Sequence, residues 1–330
     1  MQIMNILINN RKIEIIEGET LIETAKRMGV DIPFLCYFQG FKHKSSCMVC
    51  VVKNLTDGQI MPSCTTFPEE GMVIDTECEE VRAIRIMSLE LLLSDHRADC
   101  EAPCSLVCPF GLDVERVFEY YDTGRMDDAY LLILKAFSSP ESACRDCKAP
   151  CEKACRRGTV DKAVTIKDII TQIAGMTEIK IPVGCEPFNT SKIKESNKLF
   201  QSRLGRFTPI EKERLKATVT TASRCLHCAC AGRKDCKLRL YATIYGVKRP
   251  CFETSSALPA MVKQLVNETI WFEPAKCIRC GLCVFNSANG FTFKDRGFGM
   301  SVVLPDENRK NINNELTALC PTGALYTQLK

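Results

Sequence analysis

The chain has 330 residues, 45% of them hydrophobic and 25% charged, with a formal net charge of +4, enough to bury ordinary cores in two or three small domains. No segment reaches about 18 uninterrupted apolar residues and no basic run is interleaved with aromatics, which argues against membrane insertion and nucleic-acid binding. The start, MQIMNILINNRKIEI, lacks the basic-then-apolar pattern of a secretory signal, so a cytoplasmic, reducing location is expected. Cysteine is the anomaly: there are 22 against three histidines, grouped mostly at spacings of two or three. In a reducing compartment such grouping reads as metal binding rather than disulfides.

In chain order, MNILINNRKIEII predicts two short strands about a turn at Asn9–Asn10. ETLIETAKRMG predicts a helix, with Thr20 and Glu23 as a capping box, Leu21, Ile22 and Met28 on the buried face, and Gly29 as the stop. Hairpin, helix and cysteine loop follow the order of a ferredoxin-type β-grasp domain over residues 1–80. The loop supplies Cys36, Cys47, Cys50 and Cys64, spaced C-x10-C-x2-C-x13-C, four thiolates as a [2Fe–2S] cluster requires. A zinc knuckle is the alternative, but it needs two close pairs and only Cys47 and Cys50 are close. Cys78 falls outside the pattern and is expected to be a buried spare thiol.

The segments IPFLCYF, SCMVCVV and MPSCTTFPEEGMVIDTECEEVRAIRIMSLELLLSDH resemble the N-terminal region of the large iron–sulfur subunit of complex I, of [FeFe] hydrogenases and of NAD-linked formate dehydrogenases. The resemblance covers residues 1–100 and implies that the four cysteines named bind a [2Fe–2S] cluster. That family continues with Asp-His, three residues and a cysteine, matched by Asp95, His96 and Cys100, and its histidine ligates a [4Fe–4S] cluster.

Beyond Cys100 the chain departs from it. APCSLVCP and CRDCKAPCEKACRRGTVDKAVTIKDI resemble the N-terminal two-cluster domain of the small subunit of glutamate synthase and of dihydropyrimidine dehydrogenase. The interleaving in those relatives implies one [4Fe–4S] cluster on His96, Cys100, Cys104 and Cys155, and another on Cys108, Cys144, Cys147 and Cys151. A lone histidine at a helix end is ordinarily a cap or packing residue; here the ligand count needs one more group. Between the halves, LDVERVFEYYDTGRMDDAYLLILKAF has helical periodicity and predicts two helices, giving a helical two-cluster domain over 81–180.

Residues 181–207 turn polar and read as a linker, with Cys185 unliganded. Thr208, Pro209 and Glu211 mark a new helix start, opening a small α+β C-terminal domain over 208–330. CLHCACAGRKDC offers Cys225, Cys228, Cys230 and Cys236 for a [4Fe–4S] cluster or a zinc, with Cys251 the alternative to Cys230. His227 is expected beside the site or facing solvent, not as a ligand. AKCIRCGLCVF and ALCPTGAL place Cys277, Cys280, Cys283 and Cys320 in the spacing bacterial ferredoxins use for [4Fe–4S], and FTFKDRGFGMSVVLPDEN reads as strands and turns about Gly297 and Gly299.

The expected fold class is therefore α+β, with one [2Fe–2S], three to four [4Fe–4S] clusters and a zinc as the alternative occupant of the Cys225 group. No nucleotide motif is present. The resemblances imply an electron-transfer subunit linking an NADH-oxidising flavoprotein to a hydrogenase, a formate dehydrogenase or an NADPH flavoprotein, in complexes that often bifurcate electrons. A stand-alone polyferredoxin-like carrier and a zinc-binding scaffold are the competing readings.

Overall fold

The computed structural model describes residues 4–96, 100–137, 139, 142–176, 209, 212–213, 216, 223–230, 235–247 and 262–327. They form two compact units. The first takes the described residues of Met1–His96, Lys234–Pro259 and Lys263–Leu329, the second those of Arg97–Arg233 and Ala260–Val262. Residues 208–330, grouped by spacing as one domain, thus divide between the two. The expected linker with Cys185, the capping residues Thr208 and Glu211, and Cys251 lie outside the described residues.

In the first unit, β1 (Asn5–Ile8) and β2 (Arg11–Glu14) pair antiparallel with Ile8 opposite Arg11. The turn residues Asn9 and Asn10 both take positive φ, 48° and 63°, the left-handed conformation a two-residue hairpin demands and asparagine tolerates. Three further strands, β3 (Val51–Asn54), β4 (Ile60–Pro62) and β5 (Val73–Asp75), complete a sheet ordered β2-β1-β5-β3-β4. Only β1 and β5 run parallel within it.

Helix α1 (Leu21–Arg27) carries the expected capping box. The Thr20 N–H donates to Glu23 Oε2 at 2.8 Å, and Tyr37 Oη donates to the other carboxylate oxygen at 2.9 Å. Burial raises the Glu23 pKa, but the hydrogen bonds from Thr20 and Tyr37 outweigh it and hold the carboxyl below its ordinary range. Its contribution is therefore complete at neutral pH and fades as pH falls through that lowered value. Leu21, Ile22 and Ala25 pack with Ile6, Ile8, Val52 and Ile74 into a core that includes Cys50 and Cys64. Thr20→Ala removes a cap and should cost about 0.5–2 kcal/mol, measurable by chemical denaturation.

Helix α2 (Glu79–Asp95) is fixed by Arg85, which is fully buried. Its guanidinium donates to Glu77 at 2.8 Å, to Tyr245 Oη at 2.7 Å and to the Val51 carbonyl at 2.9 Å, so one side chain ties α2 to β3 and to the residue following another helix of the same unit, Lys237–Ile244. The rest of this unit is a three-stranded sheet (Gln264–Leu265, Ile270–Phe272, Leu325–Thr327) and a hairpin (Thr292–Lys294, Ser301–Val303). Two short helices, Leu282–Asn286 and Glu315–Leu319, join them around Phe272, Leu282, Phe291 and Leu316.

Every described regular element of the second unit is helical: α3 (Pro103–Leu106), α4 (Val114–Asp122), α5 (Met126–Ala136), α6 (Pro150–Lys153) and α7 (Ile166–Ala174), with a 3₁₀ turn at Arg156–Thr159. The two helices read from the periodicity are α4 and α5. Val117, Phe118, Ile133, Ile170 and Ile173 form a core that closes on Cys104, Cys144 and Cys151. The strands pair antiparallel except for β1 with β5, and the second unit's described elements are all helical, a mixture consistent with the α+β class.

Candidate metal centres

Cys36, Cys47, Cys50 and Cys64 come together as the spacing predicts, all buried. Cys36 is in hydrogen-bonding contact with Cys47 and Cys64, and Cys50 with Cys64. Those contacts pull the Cys36 thiol down and push Cys64 up. Four buried sulfurs cannot all ionise against one another without a compensating cation, which is the condition an iron–sulfur cluster meets. The loop is braced from both sides: Ser63 Oγ donates to the Cys50 carbonyl at 2.7 Å and His43 Nε2 to the Cys64 carbonyl at 3.0 Å.

Cys277, Cys280, Cys283 and Cys320 line one cavity with Ile278, Leu282 and Ala324. The Arg279 N–H points at Cys277 Sγ (3.3 Å) and the Leu325 N–H at Cys320 Sγ (3.4 Å), donors that favour thiolate and tune a bound cluster. Burial pushes Cys277 up to about 12, and Cys280 and Cys283 up as well. This centre neighbours the first: the Cys36 charge is felt at Cys280, and Phe38, two residues past Cys36, packs against the same buried cluster as Cys277, Cys280, Cys283 and Cys320. Lys237 spans the same region, its ammonium 3.8 Å over the Phe34 ring and its N–H bonded to the Pro321 carbonyl at 2.8 Å.

In the second unit Cys108, Cys144, Cys147 and Cys151 gather as expected. Burial, then neighbouring sulfur, raises Cys144 to about 11 and Cys151 to about 12, with Cys108 acting on both and Cys147 on Cys144. Lys167 on α7 holds the loop by donating to the carbonyls of Arg145 and Cys147, both at 3.1 Å.

The remaining groupings differ from the sequence expectation. Cys104 and Cys155 share a cavity with Cys225 and Cys228, lined also by Pro103, Val114, Phe118 and Ile166. Cys230 is drawn to Cys100 instead, by a backbone N–H bond to its carbonyl at 3.3 Å. His96 is buried at the end of α2, and Cys236 caps the helix Lys237–Ile244, its sulfur accepting from the Arg239 N–H at 3.4 Å. His227 lies beside the Cys225 group rather than facing solvent: it sits between two carboxylates of α4, with Nε2 2.9 Å from Asp122 and Nδ1 3.3 Å from Glu115. Cys78 is partly exposed rather than buried, because it occupies the N-cap of α2, its own N–H bonded to Asp75. Sequence reading missed Asp122, Glu115 and Lys237; no local spacing marks them. Among the described residues no three His, Cys, Asp or Glu converge as a single metal ion would need; the cavity sulfurs border a volume.

Two family models match the chain. Residues 2–79 match that of a 2Fe-2S iron-sulfur cluster binding domain, and residues 94–180 that of dihydropyrimidine dehydrogenase domain II, 4Fe-4S cluster. The chain is 38% identical over 113 residues to the NADP-reducing hydrogenase subunit HndD of Solidesulfovibrio fructosivorans, covering 33% of this chain and 18% of that protein. To the mitochondrial 78 kDa subunit of the NADH-ubiquinone oxidoreductase of Candida albicans (strain SC5314 / ATCC MYA-2876) it is 30% identical over 97 residues, 29% of this chain and 14% of that protein. To the NADPH-Fe(3+) oxidoreductase subunit alpha of Geobacter sulfurreducens (strain DL-1 / KN400) it is 26% identical over 132 residues, 40% of this chain and 15% of that protein. The chain thus spans less than a fifth of each of these relatives. A chain in the crystal structure of the NAD+-reducing [NiFe]-hydrogenase in the H2-reduced state shares the fold, with a TM-score of 0.51 at 15% identity over 98% of this chain and 87% of that one. By these matches the chain joins an iron–sulfur region similar to that of complex I and hydrogenase subunits to a 4Fe-4S domain similar to that of dihydropyrimidine dehydrogenase.

Proposed function

We propose that this chain is an electron-transfer subunit of an NAD(P)-linked oxidoreductase complex, built on a β-grasp [2Fe–2S] domain. The observation that carries the reading is the adjacency of sulfur sites inside each unit. In the first, Phe38, two residues past Cys36, packs against the buried cluster that Cys277, Cys280, Cys283 and Cys320 border, and in the second the Cys104 and Cys108 groups share one helical core. Iron–sulfur clusters supply one-electron carriers when bound. The protein's own part is to bury the sulfurs, aim N–H donors at them and set the gaps between sites. Lys237 reaches both segments, its ammonium over the Phe34 ring on the [2Fe–2S] side and its N–H on the Pro321 carbonyl beside Cys320, and a cation there favours an added electron.

The names of the relatives, subunits of an NADP-reducing hydrogenase, an NADH-ubiquinone oxidoreductase and an NADPH-Fe(3+) oxidoreductase, support an NAD(P)-linked complex; within it we propose an NADH-oxidising flavoprotein as one partner and a hydrogenase, formate dehydrogenase or NADPH flavoprotein as the other, with electron bifurcation as the coupling mode and a cytoplasmic location. Among the described residues no helix is long and apolar enough to cross a membrane. The test is iron, acid-labile sulfide and zinc per chain after anaerobic purification from the native source. One [2Fe–2S] and four [4Fe–4S] clusters require about 18 iron atoms, and flavoprotein subunits should co-purify. Little iron with several zinc atoms would overturn the reading in favour of a scaffold. Full iron on a chain that purifies alone would make it a free polyferredoxin-like carrier.

A further inference from the structure

The two-cluster resemblance of residues 94–180 groups Cys104 and Cys155 with His96 and Cys100, but the structure brings to them two cysteines from about 70 residues downstream. Cys225 and Cys228 line the same cavity as Cys104 and Cys155, a cleft of about 370 Å³, part of it open to solvent. Burial is the main force raising the Cys104 and Cys225 thiols, and the other sulfurs of the group raise them further.

The loop that brings Cys225 and Cys228 is docked by a dedicated set of polar contacts. Asp122, at the end of α4, accepts from the Ser223 N–H at 3.0 Å, from Ser223 Oγ at 2.6 Å and from His227 Nε2 at 2.9 Å. Asp161, in the turn after Cys155, pairs with Arg157 and Arg224, at 2.6 and 2.7 Å. One carboxylate thus grips the CLHC loop itself, and another ties Arg224, the residue before Cys225, to the segment that carries Cys155.

The loop also has the local form of the C-terminal centre. In Cys225-Leu226-His227-Cys228 the third residue is left-handed (φ 43°) and its N–H points at Cys225 Sγ (3.4 Å). In Cys277-Ile278-Arg279-Cys280 the third residue is again left-handed (φ 56°), with its N–H 3.3 Å from Cys277 Sγ. Strain at a non-glycine residue of this kind persists where the surroundings require it, and here it turns both cysteines of each pair toward one cavity.

We propose that Cys104, Cys155, Cys225 and Cys228 bind a single [4Fe–4S] cluster, so that the helical unit is completed by a ligand pair from outside the two-cluster sequence. The inference rests on the iron–sulfur reading above. It regroups the ligands within the second unit, where Cys104, Cys155, Cys225 and Cys228 all lie.

The test uses the full chain, anaerobically purified with 57Fe, in three variants: Cys104→Ser with Cys155→Ser, Cys225→Ser with Cys228→Ser, and all four together. Each pair should remove the same Mössbauer and EPR component and about four iron atoms, the quadruple variant should lose no more than either pair, and the [2Fe–2S] signal should persist as a check of folding. Losses from the two pairs that add up in the quadruple variant, or loss of zinc without iron from the Cys225 pair, would overturn the proposal. A second measurement needs no substitution. As iron is withdrawn stepwise by chelator, thiol alkylation read by mass spectrometry should expose Cys104, Cys155, Cys225 and Cys228 in one step; exposure of the two pairs in separate steps would overturn it. Wild-type protein devoid of iron would instead defeat the broader electron-transfer reading.

Discussion

Arg85→Ala should destabilise the first unit by about 3–5 kcal/mol, from the void a large buried side chain leaves and from acceptors left without a donor. The Val51 carbonyl and Tyr245 Oη both depend on this guanidinium, and Arg85 has no accessible surface of its own. Glu77 stays half exposed and keeps its hydration, so the cost falls on the interior rather than on the ion pair. Arg85→Met retains much of the packing and should cost about 1–3 kcal/mol, the share owed to the hydrogen bonds. At about 2–4 °C per kcal/mol for a unit of this size, the alanine variant should bleach its visible absorption about 6–20 °C below the parent in an anaerobic melt. Equal shifts for alanine and methionine would show that the hydrogen bonds carry the effect and the volume does not.

Gly281→Ala should be nearly as damaging, and locally so. The residue has φ +80°, and a Cβ there would lie 2.5 Å from Phe285 and 3.1 Å from Phe293. Left-handed backbone costs about 1 kcal/mol for alanine, and forcing the two rings aside adds about 1–3 kcal/mol. Since Gly281 sits between Cys280 and Cys283, the variant should also lose about four iron atoms on the proposed reading. Gly297→Ala is the control: its φ is +56° and nothing lies within 4 Å of the added carbon. It should show the backbone cost alone, with iron content unchanged.

What the sequence disclosed follows from how far apart the interacting residues lie along it. The Asn9–Asn10 turn, the Thr20–Glu23 box and the C-x2-C-x2-C run at Cys277 are local, so backbone preference and ligand geometry leave a readable spacing. The grouping of Cys36, Cys47, Cys50 and Cys64 was legible because they lie within 29 residues, on the loop before β3 and just after its hairpin partner β4. The partnership of Cys225 and Cys228 with Cys104 and Cys155 was not, since long-range packing decides it and leaves no periodic mark. Reading CLHCAC as one group assigned Cys230 to neighbours in sequence, whereas its backbone is bonded to Cys100. The place of His227 against Asp122 and Glu115, over a hundred residues upstream, could not be read from the loop that carries it.

The bond between Cys230 and Cys100 also has a bearing on ancestry and synthesis. Most of the second unit is one excursion of the chain, and near its two ends Cys100 and Cys230 meet at that 3.3 Å contact, a gap that a residue or two can bridge, since successive α-carbons lie about 3.8 Å apart. A gene without codons 101–229 would still encode a continuous path from Cys100 to Cys230, so the helical unit has the form of a cassette that can be gained or lost as a piece. On the ribosome the order is forced: residues 101–229 emerge before the segments that complete the first unit, which waits with its C-terminal sheet and the Tyr245 partner of Arg85 still unmade.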